Sequence, residues 1–114
     1  MSGYLTTHVL DTANGCPAEG VRIELFFLDG DTRTKLAEDV TNADGRTDGP
    51  ILPAGDFKTG RFELVFHAGD YLTSRNASTD FLDIIPVRFG MTEANHYHVP
   101  LLLSPFSFST YRGS

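Results

Sequence analysis

Short runs of alternating apolar and polar residues recur along this 114-residue chain, and most are closed by a turn signal. Period-two alternation puts successive side chains on opposite faces of a strand, so each run can bury one face only. The clearest is 61–66, RFELVF, which lines up Phe62, Leu64 and Phe66. In 21–28, VRIELFFL, the residues Val21, Ile23, Leu25 and Phe27 share a face, with Arg22 and Glu24 opposite. Asp29-Gly30-Asp31 then predicts a hairpin, and 32–41 reads as a polar edge strand guarded by Lys and Glu. In 4–11, YLTTHVLD, Leu5 and Val9 are the core pair, while Tyr4, Thr6, His8 and Leu10 point outward. Residues 42–60 are rich in Gly, Asp, Asn and Pro and read as loop, with extended pieces near Arg46–Thr47 and Ile51–Leu52. The one candidate helix is short, 68–76. A strand follows within 80–91, where Pro86 donates no ladder bond and so marks an edge or bulge. Seven or eight short strands at this spacing predict an all-β sandwich in one domain over 1–114.

The C-terminal HYHVPLLLSPFSFSTYRGS carries two more runs, 96–103 and 106–112, joined at Ser104-Pro105. Tyr97, Val99, Leu101 and Leu103 form one apolar face, and His96, His98, Pro100 and Leu102 the other. Phe106 and Phe108 are expected in the core, opposite Ser107, Ser109 and Tyr111. If the first and last strands share a sheet, its outer face gathers His8, His98, Ser109, Tyr111 and the tail around one small molecule. That face also carries Leu10, Pro100 and Leu102, apolar for a solvated surface, which points to burial against another subunit.

Several functions are disfavoured at once. A net charge of -6 with nine scattered Lys and Arg offers no basic patch for nucleic acid. No apolar run approaches the roughly 20 residues of a membrane span. The N-terminus does not have the pattern of a secretory signal. The single cysteine, Cys16, forms no internal disulfide and reads as a small turn residue. A reducing cytoplasm is the expected location. His96-x-His98 with His8 as a third ligand matches a zinc-like set, although no carboxylate or cysteine motif supports it. Imidazoles also gather for acid–base chemistry, since their ordinary pKa lies near neutrality. His67 reads as an incidental surface residue, and Arg46 in DGRTDG as an exposed loop arginine.

Three stretches together carry a resemblance: LTTHVLDTANGCPA (5–18), TNADGRTDGP (41–50) and the C-terminal nineteen residues ending Tyr-Arg-Gly-Ser. The chain resembles the transthyretin-like 5-hydroxyisourate hydrolases along essentially its whole length. The resemblance implies a two-sheet β-sandwich of about eight strands and one short helix. It implies a homotetramer, a dimer of dimers, with active sites in clefts between dimers. The implied reaction belongs to urate catabolism. Water opens the six-membered ring of 5-hydroxyisourate to give 2-oxo-4-hydroxy-4-carboxy-5-ureidoimidazoline, with no cofactor and no metal. By position the family's functional residues fall on His8, Arg46, His98, Tyr111, Arg112, Gly113 and Ser114.

Each residue type suits that chemistry. A histidine can take a proton from water near neutral pH and return it. Arginine's rigid fork of donors can hold a planar substrate and stabilise developing negative charge. Ser114 supplies a hydroxyl and the terminal carboxylate. The expected catalytic set is therefore His8, Arg46, His98 and Ser114, with Tyr111, Arg112 and Gly113 completing the substrate site. Spacing leaves open which histidine is the base, and His96 is assigned a supporting or structural part. Two rivals remain. A transthyretin-like carrier of small aromatic ligands would bind without turnover, and an immunoglobulin-like adhesive domain would need no convergent histidines.

Overall fold

The computed structural model describes residues 3–113. Eight strands form two four-stranded sheets, in the orders β2-β1-β7-β8 and β4-β3-β5-β6. The strands are β1 (Tyr4–Asp11), β2 (Cys16–Pro17), β3 (Arg22–Asp29), β4 (Thr32–Val40), β5 (Gly60–His67), β6 (Ile84–Met91), β7 (His96–Ser104) and β8 (Ser107–Thr110). One α-helix, α1 (Ala68–Ser74), follows β5 directly, and a 3₁₀ turn spans Ala54–Asp56. The all-β sandwich expected from the alternation is thus the observed architecture.

The core sits between the sheets and is built from the predicted faces. Leu5, Val9, Val21, Ile23, Leu25, Phe62, Leu64, Phe66 and Leu101 are fully buried. Burying one such side chain is worth about 1.5–3 kcal/mol. The hairpin turns at Gly30 and Asp31, with Asp29 paired to Thr32 across it. β4 and β6 are the edges of their sheet, as the polar pattern of one and Pro86 in the other predicted. Helix α1 is fastened by the buried Tyr71 hydroxyl, which donates to Asp11 Oδ2 at 2.7 Å. Burial pushes the Asp11 carboxyl up, but hydrogen bonds from Asn14 and Tyr71 and the Arg75 charge bring it below its ordinary value.

Phe106 and Phe108 are not core residues, contrary to the expectation from alternation. Phe106 is 61% and Phe108 44% exposed. Phe108 does face the same side as its register partner, the buried Leu103. β8 is the outermost strand of its sheet, so its inward side lacks cover from the opposite sheet. Phe106 lies in the turn before β8 and stacks on the exposed Phe81, with centroids 6.5 Å apart.

The feature that builds the site is the parallel pairing of β1 with β7. Thr6 stands opposite His98 and His8 opposite Pro100. Residues some ninety positions apart therefore present their outward side chains on one surface.

Candidate functional site

The outer surface of β1 and β7 meets the 46–50 loop in a cleft of about 390 Å³. Tyr4, Thr6, Arg46, Thr47, Pro50, His96 and His98 are among its lining residues. His8 borders it, its ring centroid 6.0 Å from that of His98. Of the predicted residues, Arg46 and His98 line the cleft, and His8 and Gly113 lie beside His98.

Arg46 reaches the sheet because its loop is fastened to β1. Val9 N–H donates to Gly45 O at 2.8 Å, and Arg46 forms an isolated antiparallel bridge with His8. Asn42 shapes the turn: its Oδ1 accepts from the backbone N–H of Asp44 and Arg46, and its Nδ2 donates to Asp48. Gly45 has φ of +75°, and a Cβ there would lie 2.4 Å from Val9 O. Only glycine fits both the left-handed backbone and that approach.

The tail follows strand alternation beyond β8. Arg112 falls on the inner side, its guanidinium 4.6 Å from the centre of the Tyr97 ring. Gly113 falls on the outer side, donating its N–H to His98 O at 2.6 Å. A Cβ on Gly113 would lie 3.0 Å from His98 Cδ2 and 3.2 Å from His98 Cβ. Tyr111 and Arg112 line a separate cavity of about 240 Å³ with Val87, Phe89 and Tyr97. Within one chain these two residues do not join the histidine cleft, nor is Ser109 among the side chains lining it. Ser114 lies outside the described residues. The Gly113 contact predicts that Gly113→Ala lowers turnover about tenfold, a displacement of the His98 ring in a site where small misplacements are costly. Steady-state kinetics with unchanged kcat and KM would show that the ring tolerates the methyl.

The electrostatics favour neutral imidazoles. Burial lowers the pKa of His8 from its ordinary value, and the nearby Arg46 charge lowers it further. His98 is lowered by burial first, then by Arg46, His8 and His96. His98 Nδ1 and His96 Nε2 each lie 2.7 Å from Thr6 Oγ1. Among the described residues no group of three or more His, Cys, Asp or Glu is arranged to hold a metal ion. His67 is engaged on the other sheet, its Nε2 2.6 Å from Glu24 Oε1.

Sequence reasoning passed over Thr6 and Tyr4. Both share the outward face with His8, so period two carried the signal. What it lacked was the β1–β7 register that sets them beside His98 and His96. Thr47 and Pro50 belong to a loop whose path no periodicity reveals.

Known proteins share the sequence and fold of this chain. The 5-hydroxyisourate hydrolase of Mesorhizobium japonicum is 57% identical over 98% of this chain and 93% of its own length. A crystal structure of (S)-allantoin synthase superposes with a TM-score of 0.93 at 52% identity, over 99% of this chain; the match spans 44% of that protein's chain. The Klebsiella pneumoniae 5-hydroxyisourate hydrolase gives a TM-score of 0.83 at 35% identity, over 98% of this chain and 100% of that one. Sea bream transthyretin in complex with thyroxine gives 0.87 at 29% identity, over 96% and 93%. The HIUase/Transthyretin family model matches residues 5–113, and the chain belongs to that family.

Proposed function

We infer that this protein is an enzyme, a hydrolase that opens the six-membered ring of 5-hydroxyisourate in urate catabolism. The observation that carries this reading is the convergence of His8, His98 and Arg46 at one cleft in a chain 57% identical to a 5-hydroxyisourate hydrolase. His98 takes a proton from water as the water oxygen attacks the ring carbonyl carbon. Arg46 holds the substrate and stabilises the negative charge that develops on the carbonyl oxygen. The acyl–nitrogen bond then breaks, the carbonyl carbon becomes a carboxyl group, and His98 returns the proton to the departing nitrogen. His8, beside both groups, orients the water and substrate. Ser114 contributes its hydroxyl to substrate placement. The Arg112–Tyr97 stack supports a part for Arg112 in fixing the tail, and Gly113 lets the tail lie close against His98.

The active assembly is a homotetramer. Support comes from the exposed apolar residues along the β6 and β8 edges and their flanking turns, namely Ile84, Phe106, Phe108, Phe81 and Tyr111. Unpaired strand edges bearing such residues call for cover by another chain. Among the described residues no helix is long and apolar enough to cross a membrane.

The deciding experiment follows the absorbance of freshly generated 5-hydroxyisourate with and without the protein. Accelerated loss, with the ring-opened product identified, supports the hydrolase. No acceleration, with tight binding of iodinated aromatics, would replace it by a carrier.

A pH profile tests the base. Only neutral His98 accepts a proton, and its pKa lies below the ordinary histidine value of about 6.5. Activity should therefore hold as pH falls through 6.5 and decline only at lower pH, by about tenfold per pH unit. A half-loss of kcat/KM above pH 6.5 contradicts the lowered pKa.

A further inference from the structure

Thr6 projects from β1 between two imidazoles of β7. Its Oγ1 lies 2.7 Å from His96 Nε2 and 2.7 Å from His98 Nδ1. The parallel register makes the arrangement, setting Thr6 opposite His98 and Tyr4 opposite His96. Tyr4 stacks flat on His96, with centroids 4.2 Å apart and planes 7° from parallel. The far ring of the trio is thus held by an aromatic face as well as by the hydroxyl.

A hydroxyl has one proton to give and lone pairs to receive, and a neutral imidazole has one N–H and one bare nitrogen. Among the described residues Thr6 Oγ1 has no other hydrogen-bond partner, so its proton goes to one ring, and the other ring donates to it. The tautomers of His96 and His98 are therefore linked through Thr6. If His98 donates from Nδ1, the Thr6 proton goes to His96 Nε2, and His96 carries its own proton on Nδ1. The other direction leaves His98 with a protonated Nε2, which cannot accept a proton from water.

We propose that Thr6 is a positioning residue for the hydrolysis: it holds His98 as the Nδ1–H tautomer, with His96 as the acceptor beyond it, so that His98 Nε2 presents a bare lone pair to the attacking water. This role rests on the hydrolase reading of the cleft. During the step, Nε2 takes the water proton and His98 becomes an imidazolium. Its Nδ1–H bond to Thr6 is then charge-assisted and stronger than in the resting state. Stabilisation thus grows as the proton transfers, which is the kind that raises kcat. Nε2 next gives the proton to the departing ring nitrogen, and the trio returns to its starting tautomers. A similar part is played wherever a partner fixes the non-reacting nitrogen of a histidine.

The test has two arms. Imidazole ¹⁵N spectra of the unmodified protein, at a pH where both rings are neutral, should show His98 protonated at Nδ1 and bare at Nε2, with His96 the reverse. In the second arm, Thr6→Val keeps the β-branched shape and removes the hydroxyl, whereas Thr6→Ser keeps the hydroxyl. Thr6→Val should lower kcat about 10- to 100-fold, the effect typical of removing a histidine's orienting partner, with KM changed less than about twofold. Its His98 spectrum should lose the single tautomer, and Thr6→Ser should retain most of the kcat. His98 found as the Nε2–H tautomer, unchanged kcat in Thr6→Val, or Thr6→Ser as impaired as Thr6→Val would each overturn the proposal. Should Thr6→Val not fold, the spectra of the unmodified protein decide alone. Absence of hydroxyisourate turnover by the unmodified protein sinks the hydrolase reading and this role with it. Turnover that is indifferent to the Thr6 hydroxyl sinks only this role.

Discussion

His98→Ala is expected to reduce kcat by about two to four orders of magnitude, the range for losing a positioned general acid–base group. The loss should fall on kcat more than on KM, because the proton transfer is made in the transition state rather than on binding. The substitution is well suited to isolating the chemistry. β7 holds residue 98 through its backbone, and the Gly113 N–H bonds the residue 98 carbonyl, which the change leaves in place. The core face of β7, formed by Tyr97, Val99, Leu101 and Leu103, is untouched. Circular dichroism and the thermal midpoint should therefore stay near those of the unmodified protein, so that lost rate is not lost fold. The ring vacates space beside His8 and Thr6, and added imidazole, small enough to enter the cleft, should restore part of the rate. A variant that turns over substrate near the normal rate would remove His98 from the mechanism and transfer the base role to His8.

Much of the fold can be read from period two because most strands have one covered face. Phe62, Leu64 and Phe66 repeat every second residue, and their burial needs no knowledge of neighbours. The same rule fails for Phe106 and Phe108, where it specifies a side but not whether the other sheet extends that far. It fails differently at Glu63, a polar position of a clean alternating run that is nonetheless 3% exposed. Arg33, from β4 two strands away, and Arg88, from the adjacent β6, both donate to its carboxylate and cover it. Burial pushes Glu63 up, but these two arginines bring it below its ordinary value. Cross-strand partners of this kind are a property of register, which a single strand does not encode.

The candidate site divides the same way. His8 and His98 were visible as outward residues on strands expected to share a sheet. Arg46 was not, since nothing in DGRTDG separates a functional arginine from a solvated one. Only the resemblance singles it out. The physical basis is now apparent in Gly45, whose left-handed backbone and missing Cβ let the loop lie against Val9.

Arg46→Ala should lower kcat/KM by about 100- to 1,000-fold, the range for removing a group that stabilises developing oxyanion charge. Unlike His98, Arg46 also meets the ground-state substrate, so KM should rise as kcat falls. Arg46→Lys separates charge from geometry. Lysine keeps the charge but loses the planar fork that matches a planar, oxygen-rich ligand, so it should recover only a small part of the loss. A second consequence follows from the electrostatics. The Arg46 charge is one of the causes holding His98 and His8 below their ordinary pKa. Removing it should move the acidic limb of the residual pH profile upward, toward 6.5, so that activity is lost earlier as pH falls. Substitution at Gly45 offers an independent route to the same defect. Gly45→Ala leaves the guanidinium chemically intact but forces the loop from β1, and it should reproduce the kinetic loss of Arg46→Ala together with a lowered thermal midpoint. If Gly45→Ala were fully active while Arg46→Ala was not, the bridge to His8 would be irrelevant to where the arginine acts. Full activity in Arg46→Ala itself would leave the developing charge to other donors and remove the loop from the mechanism.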